Sequence, residues 1–358
     1  MLACSLAKSG WVNEIIGIDN FSRPGSELNR RRLIDLGVRV IAGDIRNASD
    51  MDCLPKVDWV LDAAANPSVL AGVDGRTSSR QLVEHNLGGT INMLEYCRAH
   101  SAGFILLSTS RVYSIEPLTQ LKLIAIDDAF QLADNQSLPA GVSSKGVSEH
   151  FSTTPPVSLY GNTKIASEYL TLEYGSTFDF PVWINRCGVM AGAGQFGHPA
   201  QGIFAFWIHS FSENASLKYI GFGGSGYQVR DCLHPQDLVS LLRKQMNCED
   251  RIAMPRVVNV SGGIESCMSL AQLTTWCANR FPNSKSLEGL QRKTAPDGST
   301  MPPATSETRR FDIPWIVLDA SLCETTWNWS AETKVQSILD EIANHAERYP
   351  EWLKVSKQ

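Results

Sequence analysis

Short β-rich runs alternate with helix-like segments through the first half of the chain, and this alternation limits the fold more than any other feature. Residues 14–19 (EIIGID) read as a buried strand, 25–36 as a polar, Arg-rich helix, and 38–42 (VRVIA) as a second strand ending at Gly43-Asp44. Residues 58–64 (DWVLDAA) make a third strand, 78–100 a long helical stretch, 104–108 (FILLS) a fourth strand and 182–186 a fifth. A βαβα order predicts a parallel sheet with helices on both faces, an α/β Rossmann-like doubly wound fold. Ligands of such folds sit at the carboxyl ends of the strands. Asp19, Asp44, Ala63, Ala64, Ala65, Thr109 and Cys187 all fall at those ends.

Beyond residue 190 the alternation loosens. A Gly-rich loop over 192–202 precedes an aromatic helix over 203–211, a strand over 217–221 and a second Gly loop over 223–226. Neither loop opens a βαβ unit, so both read as walls on the substrate side. Residues 294–308, rich in Pro, Ser and Thr, read as a mobile surface loop, and 331–345 as a terminal helix. The expected division is a dinucleotide-binding domain over 1–187 and a smaller α/β substrate-binding part over 188–350, some of whose segments return to the sheet.

A length of 358 residues suits one large core with a smaller appended part. A net charge of −5 argues against nucleic acid as a partner, because no basic stripe is available to displace counterions. The densest basic cluster, Arg30-Arg31-Arg32, reads as a solvated helix face. Nine Cys occur singly, with neither a CxxC nor Cys/His ligand spacing, which fits free thiols in a reducing, cytoplasmic setting. Seven dispersed His point to no metal site. No run of 18 apolar residues predicts a membrane span, and the first residues make a poor signal peptide.

Tyr160 and Lys164 lie one helical turn apart in SLYGNTK, so they share a helix face. A free tyrosine, with a pKa of about 10, is a poor base at neutral pH. A neighbouring ammonium favours the phenolate, and Thr109, delivered from the fourth strand, adds a hydroxyl that orients a substrate oxygen. Together they suit proton transfer beside a nicotinamide. Asp19 is placed to accept hydrogen bonds from an adenosine ribose, which favours NAD over its 2′-phosphorylated form; an Asp capping a turn is the plainer reading. Arg23 keeps the phosphorylated cofactor as a minority alternative.

With these elements placed, the chain resembles the extended short-chain dehydrogenase/reductase superfamily, in its nucleotide-sugar epimerase and dehydratase family. The resemblance rests on IDNFSR at 18–23, GDIRN at 43–47, NLGGTINMLE at 86–95, STSRVY at 108–113, YGNTK at 160–164 and VRDCLHPQDL at 229–238. Residues 185–207, 221–238 and RRFDIPWIVLD at 309–319 are similar to the group of CDP-paratose 2-epimerases and their relatives. The resemblance implies Thr109, Tyr160 and Lys164 as the catalytic set. It implies cofactor contacts from Asp19, Asn20, Arg23, Asp44, Ile45, Ala63, Ala64, Ala65, Asn86, Ser108 and Arg186, besides Tyr160 and Lys164. Substrate contacts would come from Arg111, Cys187, Gln195, Gln201, Gln228, Arg230 and Arg309, besides Thr109. Arg230 and Arg309 would hold a diphosphate, since a planar guanidinium meets two phosphate oxygens at once. For Arg230, an ion pair with Asp231 or Asp237 is the structural alternative.

The superfamily's 4,6-dehydratases look like Thr-Asp-Glu where this chain has Thr109-Ser110-Arg111, and its decarboxylases carry a Glu at the place of Arg111. Without either carboxylate, elimination and decarboxylation lose their proton carriers. The 4-epimerases typically show Tyr-Phe-Asn where this chain has Arg186-Cys187-Gly188. The resemblance therefore implies NAD-dependent epimerisation at C2 of a nucleotide-linked sugar, a CDP-sugar favoured, through a transient 2-keto sugar. The alternatives are another reaction of the same superfamily and a non-catalytic protein with an NAD-binding fold. A homodimer packed through helices near 80–100 and 160–176 is the family habit. Tyr227 and Ala200 stand where relatives commonly have Lys and Asp, and both are expected to flank the substrate.

Members of the superfamily open with a strand and Gly-x-x-Gly-x-x-Gly, whose amides meet the cofactor pyrophosphate. Met1-Leu2-Ala3 aligns with the helix after that loop, so the strand and its glycines are expected to be missing from this chain, through a late start or as a genuine short form. The missing strand would be the central one, and two neighbours would lose ladder hydrogen bonds.

Overall fold

The computed structural model describes residues 1–73, 75, 78–199, 201–288, 290, 293–301 and 311–355. In chain order, its principal strands are β1 (Ile16–Asp19), β2 (Arg39–Ala42), β3 (Trp59–Asp62), β4 (Gly103–Thr109), β5 (Val182–Cys187), β6 (Val229–Leu233) and β7 (Val257–Val260). The helices that frame the site are α1 (Leu2–Ser9), α2 (Leu28–Asp35), α3 (Gly89–His100), α4 (Ser158–Thr177), α5 (Ile203–Ser212), α6 (Leu238–Met246) and α7 (Val335–Arg348). No helix among the described residues is long and apolar enough to cross a membrane.

The main sheet is parallel, in the order β7-β5-β4-β3. Its apolar residues alternate between two cores, as the period of two requires when both faces are covered. Phe104 and Leu106 of β4 and Val182 and Ile184 of β5 pack with Met93, Leu94 and Cys97 of α3 on one face. Ile105, Leu107 and Trp183 pack with Leu238, Leu241 and Leu242 of α6 and with Leu6 of α1 on the other. A third core joins Phe204, Trp207 and Ile208 of α5 to Ile338, Leu339 and Ile342 of α7. β7, from the second half of the chain, returns to pair with β5.

β1 and β2 pair in parallel with each other as a separate two-stranded ladder. Among the described residues no strand hydrogen-bonds to the outer edge of β1 or of β3. Neither β1 nor β2 has a fully buried residue, and α2, which packs on β2, has none either.

Two local readings are corrected. Residues 217–221 form no strand: Leu217 and Tyr219 are anchored by their side chains in the third core, on a stretch of irregular backbone. The stretch over 78–100 is helical but not uniformly α, because a π-helical turn at Glu84–Gly88 separates Ser79–Val83 from α3. The part of the 294–308 loop from 302 onward lies outside the described residues.

Candidate active site

The site forms where β4 ends and α4 begins. Thr109 closes β4, and its Oγ1 accepts the Arg111 amide at 3.2 Å, turning the chain into a 3-10 turn over Ser110–Val112. α4 starts at Ser158, a non-glycine residue at φ 72° whose Oγ accepts the Gly161 amide at 3.1 Å. Gly161 is required here: an added Cβ would come 2.2 Å from the Arg111 carbonyl oxygen. The first turn of α4 thus rests directly on the turn that follows Thr109.

This contact buries Tyr160 and Lys164, 7% and 2% exposed. Burial pushes the Tyr160 hydroxyl up to about 12, opposed by a hydrogen bond with Thr109 and by the charge of Arg111. Burial lowers Lys164 below its ordinary value, opposed by the carboxylates of Asp62 and Glu168. Among the described residues Lys164 Nζ has no hydrogen-bonding partner.

Asn86 sits in the π-helical turn, a distortion frequent at functional sites. Its Oδ1 accepts the Asn66 amide at 2.7 Å, and its Nδ2 reaches the Asn66 carbonyl at 3.2 Å and Thr163 Oγ1 at 3.1 Å. Asn86 therefore ties the loop after β3 to α4. In that loop Ala63, Ala64 and Ala65 are exposed, and the Ala64 amide donates to Asp62 Oδ1 at 3.1 Å.

Ser108 and Arg186 belong to a polar network beneath this surface. Ser108 donates to Glu168 Oε1 at 2.5 Å, and the Arg186 guanidinium grips Glu168 with Nη2 at 2.6 Å and Nε at 3.1 Å. Its Nη1 lies 3.3 Å from the Tyr113 hydroxyl, which donates to Asn259 Oδ1 at 2.7 Å. The guanidinium is thus committed within the protein.

At the ends of β1 and β2, Asn20 Nδ2 donates to Asp44 Oδ2 at 3.1 Å, which brings Asp19, Asn20 and Asp44 together. Asp19 is exposed, with Oδ1 accepting the Phe21 amide at 2.7 Å. The Arg46 side chain holds the Asp44 carboxyl well below the usual range. Ile45 is drawn towards α3, its carbonyl accepting Asn92 Nδ2 at 2.8 Å. Arg23 turns away from this cluster: its Nη2 donates to the Phe196 carbonyl at 2.8 Å.

A cavity of 380 Å³ opens beside Arg111 and is lined by Gln201, Gln228, Arg230, Phe204, Trp207, Lys218 and Asp312. Gln228 Oε1 is buried without a hydrogen bond among the described residues. Arg230 pairs with Asp312 at 2.9 Å rather than with Asp231 or Asp237. Asp231 accepts from the Ser261 hydroxyl and the Leu318 amide, and Asp237 accepts from Thr333. Gln195 binds the Met190 carbonyl at 3.0 Å, and Cys187 is a buried thiol pushed up to about 12 by burial. Arg309 and Ala200 lie outside the described residues. Tyr227 does not flank the cavity: it is core, packed edge-on against Phe130, with its hydroxyl 3.3 Å from Asp128 Oδ1.

Sequence reasoning passed over Asp62, Glu168, Lys218, Trp207 and Asp312. Two of them left a signal: Asp62 ends an otherwise apolar strand, and Glu168 stands one turn beyond Lys164 on the same face.

The family described as "NAD dependent epimerase/dehydratase family" matches residues 1–261. A CDP-paratose 2-epimerase from Salmonella typhi is 28% identical over 268 residues, 73% of this chain and 75% of the relative. Among solved structures, a UDP-glucose 4-epimerase from Bifidobacterium longum in complex with NAD+ and UDP superimposes with a TM-score of 0.73 at 18% identity, covering 98% of this chain and 96% of the other. A UDP-glucuronic acid 4-epimerase from Bacillus cereus, in complex with UDP-glucuronic acid and NAD, gives a TM-score of 0.71 at 20% identity over 97% and 95%.

Proposed function

Since the chain belongs to the NAD dependent epimerase/dehydratase family, we propose that it epimerises C2 of a nucleotide-linked sugar, a CDP-sugar being favoured. The observation that carries this reading is the buried Tyr160–Lys164 pair on one face of α4, with the Thr109 hydroxyl on Tyr160 and a cavity beginning at Arg111. The choice of C2 is supported by the likeness to the CDP-paratose 2-epimerase and by Arg186-Cys187-Gly188 standing where 4-epimerases typically show Tyr-Phe-Asn, while the lack of a carboxylate at Thr109-Ser110-Arg111 speaks against elimination.

The donor set fits NAD. Lys164 offers a buried ammonium with no partner among the described residues, suited to ribose hydroxyls. Asp19 offers an exposed carboxylate at the end of β1, and Ala63–Ala65 an exposed backbone at the end of β3. When bound, NAD would reversibly take a hydride from a sugar carbon. The protein's residues carry the proton. Tyr160 Oη accepts it from the sugar hydroxyl and returns it after the ring has turned over, Thr109 orients that oxygen, and the Lys164 charge favours the phenolate. Arg230, with Gln201 and Gln228, holds the nucleotide diphosphate side in the cavity.

The test is to offer CDP-linked 6-deoxy and 3,6-dideoxy sugars with NAD and follow the ring protons by NMR. Inversion at C2 without net reduction of added NAD is expected. Inversion at C4, or accumulation of reduced cofactor, would replace this reading with another reaction of the family.

We also propose a homodimer packed through the helices near 80–100 and 160–176, supported by Tyr169, which is 63% exposed on α4, and by the exposed Leu159 and Val83 on these two helical stretches. Sedimentation should give twice the chain mass, and Tyr169→Glu should halve it.

A further inference from the structure

Just beneath the strand ends, the otherwise apolar sheet carries a polar row. Ser108 of β4 stands in register with Arg186 of β5, and Arg186 with Asn259 of β7. All three are buried, as is Glu168 of α4. The next rung pairs Thr109 with Cys187, at the site itself. Glu168 draws the row together: its Oε1 accepts from Ser108 Oγ at 2.5 Å, and its Oε2 from Arg186 Nη2 at 2.6 Å. The Arg186 guanidinium also lies 5.2 Å over the ring of Tyr113, whose hydroxyl donates to Asn259.

Stability alone does not account for an ion pair in this place. Taking two charges out of water costs about as much as their attraction returns, and well-packed apolar side chains would hold the same space as firmly. What an apolar contact lacks is direction. Tyr160, Lys164 and Glu168 recur every four residues, on one face of α4. The helix is pinned twice: at its first turn Gly161 rests on the Arg111 carbonyl, and two turns on Glu168 is bound to two strands at once. Between the pins Lys164 Nζ makes no hydrogen bond among the described residues, so the helix alone decides where that buried ammonium stands.

We propose that Glu168 is a positioning residue for the proton step: bound to Ser108 and Arg186, it fixes the depth of α4 against β4 and β5, and so where Tyr160 and Lys164 stand relative to Thr109. This rests on Tyr160 being the proton carrier, as proposed above. Glu168 neither gives nor takes the proton, which passes from the sugar hydroxyl to Tyr160 Oη and back.

The test installs a fluorinated tyrosine at position 160 of the full chain and records its fluorine NMR spectrum without sugar. Glu168→Met combined with Arg186→Met replaces the pair by apolar side chains and should leave the denaturation midpoint near wild type. The single resonance of the parent chain should nevertheless move or split, because the ring is no longer held in one place. Position 168 lies eight residues along the helix, about 12 Å from the label, too far for its own side chain to shift the resonance directly. Ser108→Ala cuts one bond and leaves the ion pair whole; it should move the resonance less, and it decides the matter alone if the double variant does not fold. With a CDP-linked 3,6-dideoxy sugar, turnover of the double variant should fall about tenfold or more while KM stays within about twofold. An unmoved single resonance in the variants would overturn the proposal, even if stability fell. Failure of the functional reading is distinguishable, because it would show as undiminished turnover in Tyr160→Phe and would leave the fluorine spectra as expected here.

Discussion

The ladder β1–β2 and the pair β4–β5 are built from similar apolar runs, yet they rest on different foundations. Every residue of β5, and every residue of β4 except Thr109, is buried between two cores. In β1 and β2 not one is. Two strands alone are marginal in water, because they cannot shield an apolar face. The half that holds Tyr160, Lys164 and Thr109 therefore carries its own stability, whereas the half that holds Asp19 and Asp44 depends on what covers it. The residues proposed to move the proton stand on the densely buried half.

The largest effect expected is on catalysis, with little on folding. Tyr160→Phe should lower turnover by about 10²–10⁴-fold while the denaturation midpoint stays near wild type. Undiminished turnover would remove the catalytic half from the comparison altogether.

Stability should then divide the halves. Leu106→Ala, fully buried in β4, should cost about 2–5 kcal/mol. Ile18→Ala, in half-buried β1, should cost about 1 kcal/mol. Equal losses in urea titration would mean that β1 is as firmly held as β4.

Dense burial should also refuse charge. His209 is buried with neither ring nitrogen hydrogen-bonded among the described residues, and burial, followed by the nearby charge of His345, lowers it to about 4. Burial, with Arg32 next, lowers His345 to about 4 as well, against the opposing charge of Glu341. Both folded values lie below the unfolded value of about 6.5, so the unfolded chain binds more protons between them. The stability these two groups contribute should be complete above that value and drain away as pH falls towards 4. His209→Phe should flatten the fall in melting temperature over that window; an unchanged slope would locate the acid sensitivity elsewhere.

The smallest effect sharpens the contrast most directly. Amides of β1 and β2 should exchange with solvent about tenfold or more faster than those of β4 and β5, as sparse burial favours local opening. Added NAD should slow the first pair more than the second. Exchange at one common rate would show that the two ladders open together.

Much of this was legible in the residues themselves. The strand–helix alternation located β1 to β5 within a few positions, because periodicity and β-branched runs are local properties. The spacing of Tyr160 and Lys164 placed them on one helix face for the same reason. The readings that failed needed knowledge of a partner far along the chain. Residues 217–221 look like a strand, but a strand exists only if another edge accepts its hydrogen bonds. Tyr227 stands within a Gly-rich loop, yet it is drawn into the core beside Phe130.

By itself, the sequence determined the order of elements and which residues share a helix face, since both follow from short-range geometry. Only the tertiary structure decided how charges pair and which edges meet. Arg186 meets Glu168, Arg230 meets Asp312 instead of its sequence neighbours, and the Arg111 guanidinium reaches the Phe311 carbonyl two hundred residues on. Those outcomes depend on distances of a few ångströms between residues far apart in the chain, over which electrostatic energies change steeply and local pattern carries no information.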